Sequence, residues 1–198
     1  TILSETYPKN PLQTIQQQIS RKNATLLKLT NEFQYRDVSN QIFTMLRQYH
    51  SVQDKQLIKE MAALMEQDFM KNEKQALSVN ARISFHYAHY RYQKMLENYE
   101  LANYHIRQVV ELWNLHPHRK EEYPLYYRQT IVNLCSSYYR LREYDQIENL
   151  IEEAKKYTGK SSTEKASYFQ EIALIEFLLY MNTGQLDKAL EFAHRSEK

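Results

Sequence analysis

The sequence predicts an all-α protein, a solenoid of antiparallel helix pairs with about nine helices. Three observations point there. Only 2 Gly and 4 Pro occur in 198 residues, too few for the tight hairpins and bulges that sheets require. Apolar residues recur at the i, i+3, i+4 spacing of an amphipathic helix, most plainly between Leu134 and Ala154. There Leu134, Cys135 and Tyr138 share one face, and Tyr144, Ile147, Ile151 and Ala154 share the next. Finally, three turns can be laid over one another: Glu97-Asn98-Tyr99-Glu100-Leu101-Ala102, Arg142-Glu143-Tyr144-Asp145-Gln146-Ile147 and Gly184-Gln185-Leu186-Asp187-Lys188-Ala189. Tyr99, Tyr144 and Leu186 correspond, 45 and 42 residues apart. A period of that size means stacked helix pairs, because one pair alone cannot bury its own apolar faces.

The elements follow in order. Residues 1–10 read as an extended lead-in, and Pro11 suits a first helical turn, where its missing N–H costs nothing. Leu12, Ile15 and Ile19 make one apolar stripe, and Leu26, Leu27, Leu29 and Phe33 a second; whether they share a helix is open. Asp37 is a candidate cap for a further helix carrying Val38, Ile42, Met45 and Leu46. Ser51 or Asp54 can start the next, which buries Leu57, Ile58, Met61, Leu64, Met65 and Phe69. A long helix is predicted over 75–97, broken at Asn98. Its partner presents Tyr99, Ala102, Ile106, Val109, Val110 and Trp113 inward and stops at His116-Pro117-His118. Helices over 124–141 and 144–157 form the central pair, with Gly159 in the position of a C-terminal glycine. Ser161 and Glu164 cap a helix that runs to Asn182, and the last helix carries Leu186, Ala189, Leu190 and Ala193. The array divides into an irregular helical part, 1–70, and helix pairs within 71–198, at about 75–115, 123–158 and 162–197.

On these residues the chain resembles the tetratricopeptide repeat. That family's pattern sets a large apolar and a small residue midway along helix A, then an aromatic, a Gly-Asp-Tyr-like turn, and Ala early in helix B. The central pair matches at Leu134, Cys135, Tyr138, Tyr144, Ile147, Ile151 and Ala154, and the C-terminal pair at Tyr180, Gly184, Leu186, Ala189, Ala193 and Ser196. The pair at 75–115 matches in its second helix, at Tyr99, Ala102, Ile106 and Val109. Its first helix fits only with about two extra residues, and the spacings exceed the family's usual 34. The resemblance covers about the last 120 residues and implies a right-handed solenoid whose helix A residues line a concave surface for extended peptides or partner helices.

By position, that surface is Gln129, Val132, Ser136, Tyr139 and Arg140 in the central pair. It continues through Glu171, Leu174, Leu178 and Asn182 in the next pair, and through His86, His89, Tyr90 and Gln93 in the one before. Val132, Leu174 and Leu178 stand where the family's carboxylate clamp has polar residues, so recognition of a free C-terminal carboxylate is not expected. Long, irregular repeats of this kind also resemble the peptide-sensing arms of bacterial quorum-sensing regulators, whose output domain would lie outside this chain.

The expected function is a non-catalytic scaffold that binds a protein or peptide segment. The 17 Tyr residues offer large contact area with a hydrogen-bonding tip, although for any one of them inter-helix packing is the plainer reading. Nothing assembles a nucleophile, a base and an oxyanion donor, and no Gly-rich phosphate loop or glycine-flanked serine is present. His86 and His89 have helical spacing but lack the acidic residue and Cys partners of a zinc motif, so packing or groove lining is the expectation, with no metal and no cofactor. Cys135, the only cysteine, sits on an apolar face and reads as a small packing residue. Net charge is +2, with 26 basic and 24 acidic residues interspersed, and no basic run is long enough for a nucleic-acid or membrane patch. No apolar run approaches the ~18 residues of a membrane span. No signal peptide is recognised, so a cytoplasmic location is expected. The opening Thr1-Ile2-Leu3 reads as the start of an excised piece. Asn23-Ala24-Thr25 is a chance glycosylation sequon in a helical context.

Overall fold

A computed structural model of the chain describes residues 11–48, 55–156 and 161–196. Among them are nine α-helices and no strand: α1 (Pro11–Gln48), α2 (Lys55–Met65), α3 (Val79–Met95), α4 (Tyr99–Leu115), α5 (His118–Glu122), α6 (Pro124–Leu141), α7 (Ile147–Lys155), α8 (Ser162–Asn182) and α9 (Leu186–Ser196). The number of helices matches the sequence expectation, but they are partitioned differently. The apolar stripes read between Leu12 and Leu46 belong to one helix of 38 residues. Asp37 lies mid-helix and exposed instead of capping anything. No Gly or Pro follows Pro11 in this stretch, and Asn and Asp cost a helix interior only a few tenths of a kcal/mol, too little to break it. The extra helix is α5, a single short turn between Pro117 and Pro124. Ser51, Asp54 and Gly159 lie outside the described residues.

Local chemistry sets the other boundaries. The helix predicted from residue 75 begins at Val79, because Ser78 caps it, its hydroxyl accepting from the Ala81 N–H at 3.1 Å. Pro124 occupies the first turn of α6. Ser161 and Glu164 form the capping box of α8, each side chain accepting from the other's backbone N–H.

The three turns that align in sequence also share one backbone geometry. Glu97, Arg142 and Gly184 occupy equivalent positions and have φ of 57°, 60° and 73°. In each turn the following N–H closes back five residues, Asn98 to Gln93 O at 2.9 Å, Glu143 to Tyr138 O at 3.0 Å and Gln185 to Tyr180 O at 2.9 Å. This is the left-handed helix terminator that glycine serves best, and here two of its three copies use a residue with a side chain. Behind each turn, Ala102, Ile147 and Ala189 are buried at corresponding places.

Consecutive helices pack on one another: α3 on α1 and α4, α4 on α6, α6 on α7 and α8, and α8 on α7 and α9. The apolar interior forms two clusters. One gathers Tyr35, Val38, Ile42, Leu57, Met61, Met65 and Phe85 from α1, α2 and α3. The other gathers Ile106, Val109, Trp113, Tyr127, Ile131, Leu134, Ile151 and Leu179 from α4, α6, α7 and α8. α3 belongs to both, giving Phe85, Ala88 and Met95 to the first and Tyr90 to the second. α1 docks from Asn31 onward, where the Asn31 amide bonds Gln75 O and the Leu77 N–H, and Glu32 accepts from Ser78 and Asn80. The apolar stripes at Leu12, Ile15 and Ile19 and at Leu26, Leu27, Leu29 and Phe33 are exposed. No described helix is long and apolar enough to cross a membrane.

Candidate functional site

Where α3, α4, α6 and α8 meet, they leave a cavity of about 200 Å³. α6 supplies Ser136, Ser137, Tyr139 and Arg140, two adjacent pairs three residues apart and so on one side of the helix. α8 contributes an apolar wall of Leu174, Ile175 and Leu178, the last three and four residues beyond the other two. α3 adds Tyr90 and Lys94, again four apart, and α4 adds Tyr99 and Ala102 from just behind the first of the three turns.

Two cations therefore face one cavity. The Lys94 ammonium lies 5.9 Å from the centre of the Tyr90 ring, and the Arg140 guanidinium 5.8 Å from that of Tyr99. Among the described residues neither is paired with a carboxylate. Crowding around the lysine stem, and next the Arg140 charge, lower the Lys94 pKa. The Ser137 hydroxyl is buried and has no hydrogen-bond partner, although it lines the same space. Tyr139 is anchored at the rim, where its hydroxyl accepts from the Asn182 amide at 2.9 Å and its ring meets Tyr144 at 5.8 Å.

Of the thirteen concave-face residues read from the sequence, Ser136, Tyr139, Arg140, Tyr90, Leu174 and Leu178 meet at this cavity, and Asn182 braces Tyr139 beside it. The other six stand elsewhere, Gln93 among them. Val132 is 8% exposed and packs in the central core. Gln129 is exposed but is not part of the cavity. Glu171 faces buried Arg128 at 3.6 Å across α6 and α8. His86 and His89 turn toward α4 and the segment before α3. Sequence reasoning missed Lys94, Tyr99, Ala102, Ser137 and Ile175. Lys94 was reachable, being four residues beyond Tyr90 on the same face; Tyr99 and Ala102 come from a helix B, and only the tilt of α4 brings them in.

The histidines form a cluster of their own. His86, 1% exposed, has its Nδ1 3.0 Å from Nδ1 of His105 on α4, so one of the two nitrogens carries the proton. Its Nε2 lies 3.4 Å from Glu73 Oε1, an atom that also accepts from Arg82 Nε at 2.7 Å. His89 stacks on His105 at 4.6 Å and its Nε2 donates to Met70 O at 2.9 Å. Desolvation lowers all three imidazole pKa values, His105 to about 3, with its neighbouring imidazoles adding to the effect. Burial pushes Glu73 up, but the Arg82 hydrogen bond and the His86 and Arg82 charges outweigh it and hold the carboxyl below its ordinary value. Burial thus favours the neutral form of all three imidazoles, beside the Glu73–Arg82 ion pair. Among the described residues no group of three or more His, Cys, Asp or Glu is placed to hold a metal ion. Cys135 is buried, and desolvation pushes its thiol up to about 12, which removes the thiolate needed for nucleophilic chemistry.

No protein-family model, curated protein or solved structure matches the chain, so any assignment stands on the geometry of the turns and the cavity.

Proposed function

We propose that this chain is a non-catalytic scaffold of tetratricopeptide-like helix pairs, stacked as a right-handed solenoid, that holds a peptide or protein segment at the cavity between α3, α4, α6 and α8. The observation that carries this reading is the lining itself: Lys94 and Arg140 without a carboxylate partner among the described residues, and the buried Ser137 hydroxyl without a hydrogen-bond partner, beside the apolar Leu174, Ile175 and Leu178. The unmatched Ser137 hydroxyl, being buried, costs free energy in the free protein that a ligand matching it recovers, while the exposed Lys94 and Arg140 cations are open to an anionic or acceptor group. A volume of about 200 Å³ falls below that of a typical small-molecule pocket and suits one side chain of a longer segment. The segment therefore lies across α3, α6 and α8, with one apolar residue against Leu174 and Leu178 and its acceptor groups toward Lys94 and Arg140. Tyr139 and Tyr99 supply contact area at low entropic cost.

The test is selection of binders from a random peptide display library, followed by titration of one binder into wild-type and Tyr139→Ala/Arg140→Ala protein. The double variant is expected to bind at least tenfold more weakly while melting cooperatively. Loss of cooperative melting would show that the two side chains serve the fold instead.

A further inference from the structure

We propose that the segment held at the cavity between α3, α4, α6 and α8 is acidic, and that it seats an aspartate or glutamate side chain on Lys94 and Arg140. This rests on the reading of that cavity as a peptide site and adds the charge of its ligand. Lys94 belongs to the last turn of α3 and Arg140 to the last turn of α6. A helix C-terminus favours a cation through its dipole, which accounts for each charge separately but not for the two meeting at one space. They do meet there: both line the cavity, and the Arg140 charge is near enough to disfavour the protonated form of Lys94. Among the described residues no carboxylate pairs with either. Composition does not force this, since the chain has 24 acidic residues against 26 basic ones. Cations between elements elsewhere are matched, Arg82 by Glu73, Arg128 by Glu171 and Lys155 by Glu176. An anion from outside would relieve the repulsion at the cavity and accept charge-assisted hydrogen bonds from both groups.

The rest of the lining suits a carboxylate on a short apolar stem. The Ser137 hydroxyl, buried and without a hydrogen-bond partner, can donate to a carboxylate oxygen. The Tyr90 and Tyr99 rings beneath the two cations offer the stem apolar contact, as does Ile175. Leu174 and Leu178 remain for an apolar residue beside the acid. A nucleic-acid backbone fits less well, because it needs a track of cations, and among the described residues Lys94 and Arg140 alone bring positive charge to the lining. A chain end would bring the same carboxylate as an acidic side chain, and the titrations below separate the two sources.

A display library of internal segments, in which no peptide has a free C-terminus, is selected on the wild type and on Lys94→Glu/Arg140→Glu protein. Wild-type binders are expected to share an Asp or Glu beside an apolar residue, and binders of the charge-reversed protein a Lys or Arg in that place. One wild-type binder is then made with an amidated C-terminus and titrated by calorimetry in two forms, with its acid and with the matching side-chain amide. The amide form should bind the wild type at least tenfold more weakly, a comparison that needs no altered protein. Both forms should bind Lys94→Gln/Arg140→Gln protein within twofold of each other, and freeing the peptide C-terminus should change affinity on the wild type less than twofold. Lys94 and Arg140 are exposed, so the glutamine variant should melt like the wild type. Three results would overturn the acidic subsite and leave the peptide site standing: binders that Ser136→Trp abolishes but that carry no acid, an amide form as tight as the acid form, or affinity that requires the free C-terminus. Binders indifferent to Ser136→Trp, or no binders at all, would remove the peptide site and this proposal with it.

Discussion

On the α1–α2 side of α3, the polar side chains beside Tyr35, Ile42 and Phe85 include three imidazoles, buried His86 with half-buried His89 and His105, held by one another, by Glu73 and by a backbone carbonyl. On the α4–α6 side they are the Thr130 and Ser137 hydroxyls, the Trp113 indole, the Asn103 amide and the Arg128 guanidinium that faces Glu171. Thr130 is fully buried, and its Oγ1 accepts from Trp113 Nε1 at 3.1 Å, meets the Tyr87 hydroxyl at 2.5 Å and donates to Tyr126 O at 2.9 Å. Both interiors are built of similar apolar residues, yet only the first carries a cluster of histidines whose pKa values folding depresses. The comparison teaches that the halves share a folding core but respond to different perturbations.

The largest effects test whether that core is shared. Ile42→Ala in the first cluster and Ile131→Ala in the second should each cost about 2–5 kcal/mol in denaturant unfolding. Because α3 packs into both clusters, each variant should keep one cooperative transition. Two separate transitions would split the molecule at α3. Next, Thr130→Val strips Tyr87 and Trp113 of their partner and should cost about 1–3 kcal/mol, equally at pH 7 and pH 5.

Acid should separate the two halves. Histidines whose folded pKa is depressed stabilise the protein fully above their unfolded pKa, and that contribution is lost as pH falls through the folded value. For His105 the window runs from its ordinary 6.5 down to about 3. Glu73, with a lowered carboxyl pKa, adds a loss of the same sign below its ordinary 4.5. Melting temperature is therefore expected to fall by roughly 3–8 °C between pH 7 and pH 4.5. His105→Leu should flatten that slope, because it removes the imidazole whose pKa desolvation, and next His89 and His86, depress. The smallest effects come at the turns. Arg142→Gly relieves a left-handed residue and should stabilise by about 0.5–1 kcal/mol, and Gly184→Ala should destabilise by a similar amount through backbone strain alone, since nothing crowds its Cβ position.

What could be read in the sequence follows the same division. The turns at Glu97, Arg142 and Gly184, the Ser161–Glu164 cap and Pro124 are legible because helix termination is chemistry within a few residues. The fate of α1 was not. A stripe such as Leu12, Ile15 and Ile19 states that some surface covers it, whereas its distance from the core depends on Asn31 finding Gln75 and Leu77 more than forty residues away. The site was half legible for a related reason. Ser136, Tyr139 and Arg140 follow one helical period, but Lys94 and Tyr99 join them only through the packing of α3 and α4 on α6. His86 and His89, on the same helix as Tyr90, are turned away by the rotation that brings His105 against them.

The cavity is where the functional account is most exposed, and Ser136→Trp probes it most directly. Indole carbon fills the space beside Leu174 and Leu178 without removing Tyr139, Arg140 or their contacts. Calorimetric titration of a selected peptide should show at least a tenfold loss of affinity for this variant, with its melting temperature unchanged. Wild-type affinity in the filled variant would contradict the assignment of this cavity as the binding site.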